Sequence, residues 1–311
     1  MFRFEKFYLK QICTWLFVAL CTGIAFAQTS LEHSGLELPK IGPHEQIIHH
    51  TGYTLSYNEK HEQANWVAYE LTREETVKAF ERSNKFMVDP KVSTGSASDA
   101  DYAASGYDRG HLAPAGDMSW SSVSMTESFY YSNMSPQVPA FNRGIWKSLE
   151  TLVRSWAGEY GDIYIATGPV LKEGLQQIGP DGVSVPTHYY KVILDYRSDV
   201  HRAIGFILPN AASHASLESF AVSVDSVEKV TDLNFFDALP DASENQLEQE
   251  LCISCWHWTA TLATPEHHAA EHHTPAHPQQ DDSVQCSGIT QAGSRCKRMT
   301  HDPSGKCYQH Q

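Results

Sequence analysis

Between residues 28 and 251 the chain has no cysteine; two of its seven cysteines precede that stretch and five follow it. A disulfide framework is therefore excluded for the body of the protein, which is long enough to build a core without one. Positive charge is also scarce, since 23 Lys and Arg against 37 Asp and Glu leave a formal charge of −14. So acidic a chain is unsuited to non-specific adhesion to a polyanion. Any grip on phosphate has to come from cations gathered in one place.

Apart from its start, the chain has no long apolar run. Arg3, Lys6 and Lys10 precede apolar residues from Ile12 to about Phe26, and Ala25-Phe26-Ala27 has the small-x-small form read by signal peptidase. Residues 1–27 thus read as a signal peptide cut after Ala27. Its removal takes the charge from −14 to −16, because Arg3, Lys6, Lys10 and Glu5 leave together. The rival reading is a membrane anchor, but the run is short for a span and Thr14, Thr22 and Gly23 interrupt it. Leu20 before Cys21 is too large for lipoprotein processing. The expectation is an exported protein, periplasmic or secreted, with no stable membrane association after cleavage.

Residues 28–60 are turn-rich and read as an N-terminal arm, and 61–258 as the main domain. Trp66–Leu71, Ile163–Leu171, Tyr189–Tyr196 and Val200–Leu208 have strand composition. A mixed α/β (α+β) fold on an antiparallel sheet is expected. Ile145, Leu149, Leu152, Val153 and Trp156 recur at helical spacing, which predicts a helix from Asn142 to about Tyr160 ending at Gly158 or Gly161. A second helix is expected over Ser243–Leu251, with Ser243 and Gln246 as a capping box. Residues 259–285 carry paired histidines and three prolines and read as a linker. Residues 286–311 form a separate small unit.

The chemistry centres on Asp108-Arg109-Gly110-His111. Imidazole accepts protons near neutrality, so His111 is a candidate general base, and in an extended strand Arg109 points to the same side. Asn142, Trp146, Glu150 and Arg154 are each four apart and should form one row bordering the core. That row is either a solvated face with a weak Glu150–Arg154 pair, or a metal-bearing one.

Trp66-Val67-Ala68-Tyr69, Asp89-Pro90, Asp108 to Pro114, Ser132-Asn133-Met134-Ser135-Pro136-Gln137 and Asn142-Arg143-Gly144-Ile145-Trp146 running on to Glu150 occur in this order. Together they resemble the DNA/RNA non-specific endonucleases, the family of secreted bacterial nucleases and mitochondrial endonuclease G, over roughly residues 45–255. The resemblance implies a ββα-metal finger and hydrolysis of DNA and RNA to 5′-phosphate ends. It implies His111 as general base, Asn142 as the direct ligand of magnesium, with manganese as an alternative, and Glu150 acting through the metal's water. Arg109 and Arg154 match cations near the phosphate, and Asn133 matches a block that positions the site or forms a structural turn. The family commonly has an arginine just before Asp-Pro; here Arg82 or Lys85 has to substitute. The rival class is a non-catalytic nucleic-acid-binding protein, a degenerate nuclease, against which intact His111, Asn142 and Glu150 weigh.

In the tail, Cys286, Cys296, Cys307 and His310 have the composition of a structural zinc site, with disulfides as the rival in an exported protein. Cys252 and Cys255 are spaced for a local disulfide. From Ser283 onward four Lys and Arg face one Asp, so this unit is locally positive and either adds nucleic-acid affinity or is a solvated appendage.

Overall fold

Apolar side chains on both faces of successive strands place a sheet at the centre of the protein. The computed structural model describes residues 35–197, 199–260, 284–285, 287 and 299–300. The first strands are β1 (Gln46–His49), β2 (Thr54–Asn58) and β3 (Gln63–Leu71), followed by α1 (Asp99–Tyr102) and β4 (Asp108–His111). Then come α2 (Ser122–Glu127), β5 (Met134–Gln137), α3 (Lys147–Tyr160) and β6 (Ile163–Pro169). A small hairpin of β7 (Gln177–Ile178) and β8 (Val183–Ser184) leads to β9 (His188–Arg197) and β10 (Val200–Pro209). Last are β11 (Ala221–Val222), α4 (Val224–Thr231) and α5 (Asp241–Gln249).

Seven strands pair antiparallel in the order β1-β2-β3-β6-β9-β10-β11. Strand alternation divides their side chains between two cores. Val67, Tyr69, Ile163, Ile165, Ile193 and Phe206 join Leu149, Leu152, Val153 and Trp156 of α3 on one face. Trp66, Ala68, Tyr164, Ala166, Val192 and Leu194 join Val224 and Val227 of α4 and Leu247 of α5 on the other. The mixed class with an antiparallel sheet is as expected, and β4 and β5 form a separate antiparallel pair ahead of α3.

Several expectations need correction. Residues 46–58, read as part of an arm, are the first two strands of the central sheet, with Ile48, Leu55 and Tyr57 buried in its core. The helix expected from Asn142 is interrupted. Pro139–Phe141 is a helical turn, Asn142–Trp146 is a wider π turn in which Gly144 has φ −103° and ψ −113°, and regular helix begins at Lys147. Gly144 lets the backbone leave helical geometry there, so Trp146 does not border the core but enters it, against Phe141 and Tyr189 at ring distances of 5.4 and 5.6 Å. Helix α5 starts two residues earlier than expected, after Pro240, so Ser243 lies inside it and no Ser243 capping box forms. A capping box does exist at Ser98 and Asp101.

The last described part of this unit docks on α3. Cys252 and Cys255 form the local disulfide. Trp256 lies 4.5 Å from Trp156, Trp258 meets the same ring edge-on at 5.7 Å, and Trp156 Nε1 donates to the His257 carbonyl at 2.5 Å. The chain divides into two units, Met1–Pro265 and Glu266–Gln311. In the second, Val284–Gln285, expected to end the linker, instead pairs antiparallel with Met299–Thr300. The signal segment and Cys286, Cys296, Cys307 and His310 lie outside the described residues.

Candidate active site

The β4–β5 pair sets the floor of the site. Gly110 stands opposite Ser135 and His111 opposite Met134. A Cβ at Gly110 would overlap the buried Gln137 side chain, so the glycine of the motif answers to a close approach between strands. Arg109 and His111, two apart on β4, line one cleft of about 630 Å³ together with Arg82, Asn142, Glu150 and Arg154.

The charge of that cleft is opposite to that of the chain. Arg82, Arg109, Arg143, Lys147 and Arg154 line it, with Glu150 as the one carboxylate among the described lining residues. Arg109, Arg143 and Arg154 are each paired with an aspartate behind the lining, so the positive excess is small, yet its sign is opposite to that of a chain of net −14 and suits phosphate. Arg82, and not Lys85, is the loop cation in the lining; its guanidinium lies 4.9 Å over the Phe129 ring.

His111 is only 7% exposed. Its ring packs edge-on against Phe129 at 4.8 Å and beside Phe86 at 5.9 Å. Burial, reinforced by the charge of Arg82, pushes its pKa down to about 3. The imidazole is therefore neutral at ordinary pH. Its Nε2 is sealed from solvent without a partner.

Asn142 and Glu150 supply the hard oxygens. The amide Nδ2 of Asn142 donates to Asp108 Oδ2 at 2.9 Å. Because only the NH₂ end can donate to a carboxylate, the amide oxygen is left free. Arg143 holds the same carboxylate through Nε at 2.8 Å and Nη2 at 2.6 Å. Burial opposes ionisation of Asp108, but the bonds from Arg143 and Asn142 prevail and keep its pKa below the usual value. Burial pushes Glu150 up to about 7; Lys191 opposes that shift, Asp117 adds to it, and Arg154 and Arg82 oppose it.

Arg154 does not pair with Glu150. Its Nε donates to Asp117 Oδ1 at 2.6 Å, and Asp117 also accepts the Tyr69 hydroxyl at 2.8 Å. A Cβ at Gly116 would collide with the Arg154 guanidinium. Arg109 is held by Asp99 at 2.5 Å and lies 4.4 Å over the Phe86 ring.

Asn133 is set apart from this group. It is fully buried, accepts the Ala113 N–H at 2.9 Å and donates to the Ala113 and Ser128 carbonyls at 3.0 and 2.8 Å. With both ends of its amide so engaged, Asn133 holds backbone and does not line the cleft. It clamps the chain just beyond His111. Nearby, Asp89 accepts from Ser132 at 2.5 Å and bonds His50 at 2.9 Å, which joins two of the motif blocks and the end of β1.

Asp117 and Lys191 escaped the sequence reading. Asp117 follows the Asp108–Pro114 block by three residues, and its signal was an acid directly after Pro-Ala-Gly. Lys191 is fully buried on β9, 5.0 Å from the Trp146 ring, and a lysine amid Tyr189-Tyr190 and Val192-Ile193 was its signal.

The family model for DNA/RNA non-specific endonucleases matches residues 39–242. The chain belongs to that family. Nuclease C1 of Cunninghamella echinulata var. echinulata is 40% identical over 218 residues, covering 64% of this chain and 85% of the relative. Human mitochondrial endonuclease G is 35% identical over 205 residues, covering 61% and 69%. A solved structure described as the EndoG/EndoGI complex, bearing on EndoG inhibition, matches with TM-score 0.61 and 34% identity over 66% of this chain and 90% of that one. This non-specific endonuclease is thus a hydrolase of nucleic acids with the same α+β architecture.

Proposed function

We propose that this endonuclease is exported and cleaves DNA and RNA with a magnesium ion, His111 serving as the general base. The observation that carries the reading is a neutral, nearly buried imidazole at the edge of a cleft with five cations and two free hard-oxygen donors. The donor set fits magnesium: Asn142 offers its amide oxygen, and the Glu150 carboxylate makes no hydrogen bond or ion pair with the described residues. Thiolate is absent from the described cleft lining, as a hard ion prefers. When bound, magnesium polarises the scissile phosphate and stabilises charge on the leaving oxygen.

The remaining steps belong to the chain. His111 lines the cleft, and with Nε2 sealed we assign Nδ1 as the nitrogen that accepts a proton from the attacking water. The water oxygen bonds to phosphorus as the bond to the 3′ oxygen breaks, leaving a 5′-phosphate and a 3′-hydroxyl that takes its proton from solvent. Arg82, Arg109 and Arg154 stabilise the added negative charge. These groups address phosphate and not base edges, which supports weak sequence preference on both DNA and RNA.

Export rests on the charged start and apolar run of residues 1–27. Zinc in the Cys286, Cys296, Cys307 and His310 set rests on composition alone.

Nicking of supercoiled plasmid with magnesium, abolished by EDTA, tests the reading. His111→Ala should lower the rate by about two to four orders of magnitude while leaving DNA binding intact. A near-normal rate with unchanged magnesium dependence would remove His111 from the role of base. Binding without any cleavage by the unaltered protein would favour the non-catalytic alternative.

A further inference from the structure

On the face of the sheet that carries α4 and α5, Asp225, Glu228 and Glu248 bring one carboxylate oxygen each within 4.8 Å of the others. Asp225 and Glu228 are three residues apart on α4, hence on one side of it, and Glu248 meets them from α5. Glu248 is only 5% exposed, and its Oε1 has no hydrogen-bond partner. Glu228 is fixed in place by the Phe235 N–H, which donates to its Oε1 at 2.8 Å.

Among the described residues no Lys or Arg forms an ion pair with Asp225, Glu228, Glu244 or Glu248, and Lys40, which feels Glu244, is paired with Asp237 at 2.9 Å. Burial and the neighbouring Glu228, Glu244 and Asp225 push Glu248 up to about 8. An uncompensated buried carboxylate is costly, and either a shared proton or a cation relieves it.

The donor set favours one hard cation over another. Three carboxylates brought together by the protein suit an ion that takes several protein oxygens, whereas magnesium keeps most of its waters. Calcium bonds oxygen at about 2.3–2.6 Å and accepts irregular coordination, whereas magnesium needs about 2.0–2.1 Å in a strict octahedron.

We propose that Asp225, Glu228 and Glu248 form a calcium site that ties α4 to α5, separate from the catalytic cleft. Water and nearby oxygens complete the shell. The inference does not depend on the catalytic reading.

The test is a calcium titration of the full chain by calorimetry and thermal unfolding, in an Asn142→Ala background that weakens the cleft's own ion. One binding event and a rise in Tm of roughly 5 °C or more, at about a hundredfold excess over Kd, are expected. Glu248→Gln should abolish both and, in the otherwise unaltered protein, leave magnesium-dependent plasmid cleavage unchanged. Asp225→Asn, at a more accessible position, should weaken calcium binding about tenfold without unfolding the protein. The proposal is overturned by calcium binding that survives Glu248→Gln and Asp225→Asn. It is equally overturned by no calcium response together with a Tm that falls as pH rises from about 4.5 to about 8 and levels off above it, the mark of carboxyls that share only a proton.

Discussion

Asp108 accepts the Asn142 amide at 2.9 Å, so the first residue of the Asp-Arg-Gly-His motif sets the orientation of a side chain 34 positions downstream. The carboxylate is itself held by Arg143, and it cannot accept the oxygen end of that amide. The motif therefore holds a candidate base at its end and the orienting group for a candidate metal ligand at its beginning.

Replacing Asp108 with Asn should release that constraint, since a carboxamide can donate to the wrong end of Asn142. The magnesium concentration for half-maximal rate is expected to rise roughly 10- to 100-fold. Asn142→Ala should raise it further, and Glu150→Gln less than Asn142→Ala, because Glu150 acts through water. Magnesium titrations of plasmid nicking give the order. Unchanged half-saturation in all three would detach these residues from the metal.

Asp117 holds Arg154 at 2.6 Å while only 1% exposed. Asp117→Asn should leave a largely buried guanidinium without its counter-ion and destabilise the fold by about 3 kcal/mol, as measured by urea unfolding. Gly116→Ala, which pushes directly on the guanidinium, should lower kcat about tenfold or more with a smaller loss of stability. Wild-type turnover in Gly116→Ala would show that the position of Arg154 is immaterial to the reaction.

The pH dependence of stability should have an acid limb traceable to Asp89. Burial opposes its ionisation, but bonds from His50, Ser132 and the Lys91 N–H outweigh it and hold its pKa below the ordinary 3.8. A carboxylate depressed on folding contributes stability that is complete above its unfolded value and is lost as pH falls through the folded one. Thermal melts should therefore show Tm dropping as pH falls below 3.8. Asp89→Asn should start lower and show a shallower drop. Parallel curves for the two proteins would assign the acid limb to other carboxylates, such as Asp108.

A chain ending after Ala260 should fold and cleave, because the aromatic contacts to α3 are complete at Trp258. Ending it after Glu250 removes Trp256 and Trp258 and should cost several kcal/mol and most of the activity. If the positive tail grips phosphate, the longer truncation should show a smaller loss of DNA affinity with rising salt. Circular dichroism and filter binding separate these outcomes, and an unfolded 260-residue chain would reject the boundary.

How much of this was legible in the sequence follows from the range of each signal. Arg109 and His111 fall on one side of β4 because strand alternation needs only neighbours. The row from Asn142 to Arg154 was half right. Spacing by four finds Glu150 and Arg154, but it does not register that Gly144 breaks the helix and that Trp146 turns inward. Four-residue β1 and five-residue β2 are too short for alternation to stand out, so central strands resembled an arm. The choice between Arg82 and Lys85 lies in a loop without periodicity, and only the folded chain brings Arg82 over Phe129. Asp117 and Lys191 owe their roles to partners 37 residues away and to burial in a strand, neither of which composition records.

The tryptophan contacts at the end of the main unit also bear on when the enzyme becomes an enzyme. A chain is made from its N-terminus, and α3, which carries Glu150 and Arg154, is synthesised about a hundred residues before Trp256 and Trp258 arrive to cover Trp156. Until then the helix lacks one of its aromatic walls and its indole N–H lacks the His257 carbonyl. If loss of Trp256 and Trp258 costs activity as expected above, catalytic competence arrives only once residue 258 has been translated.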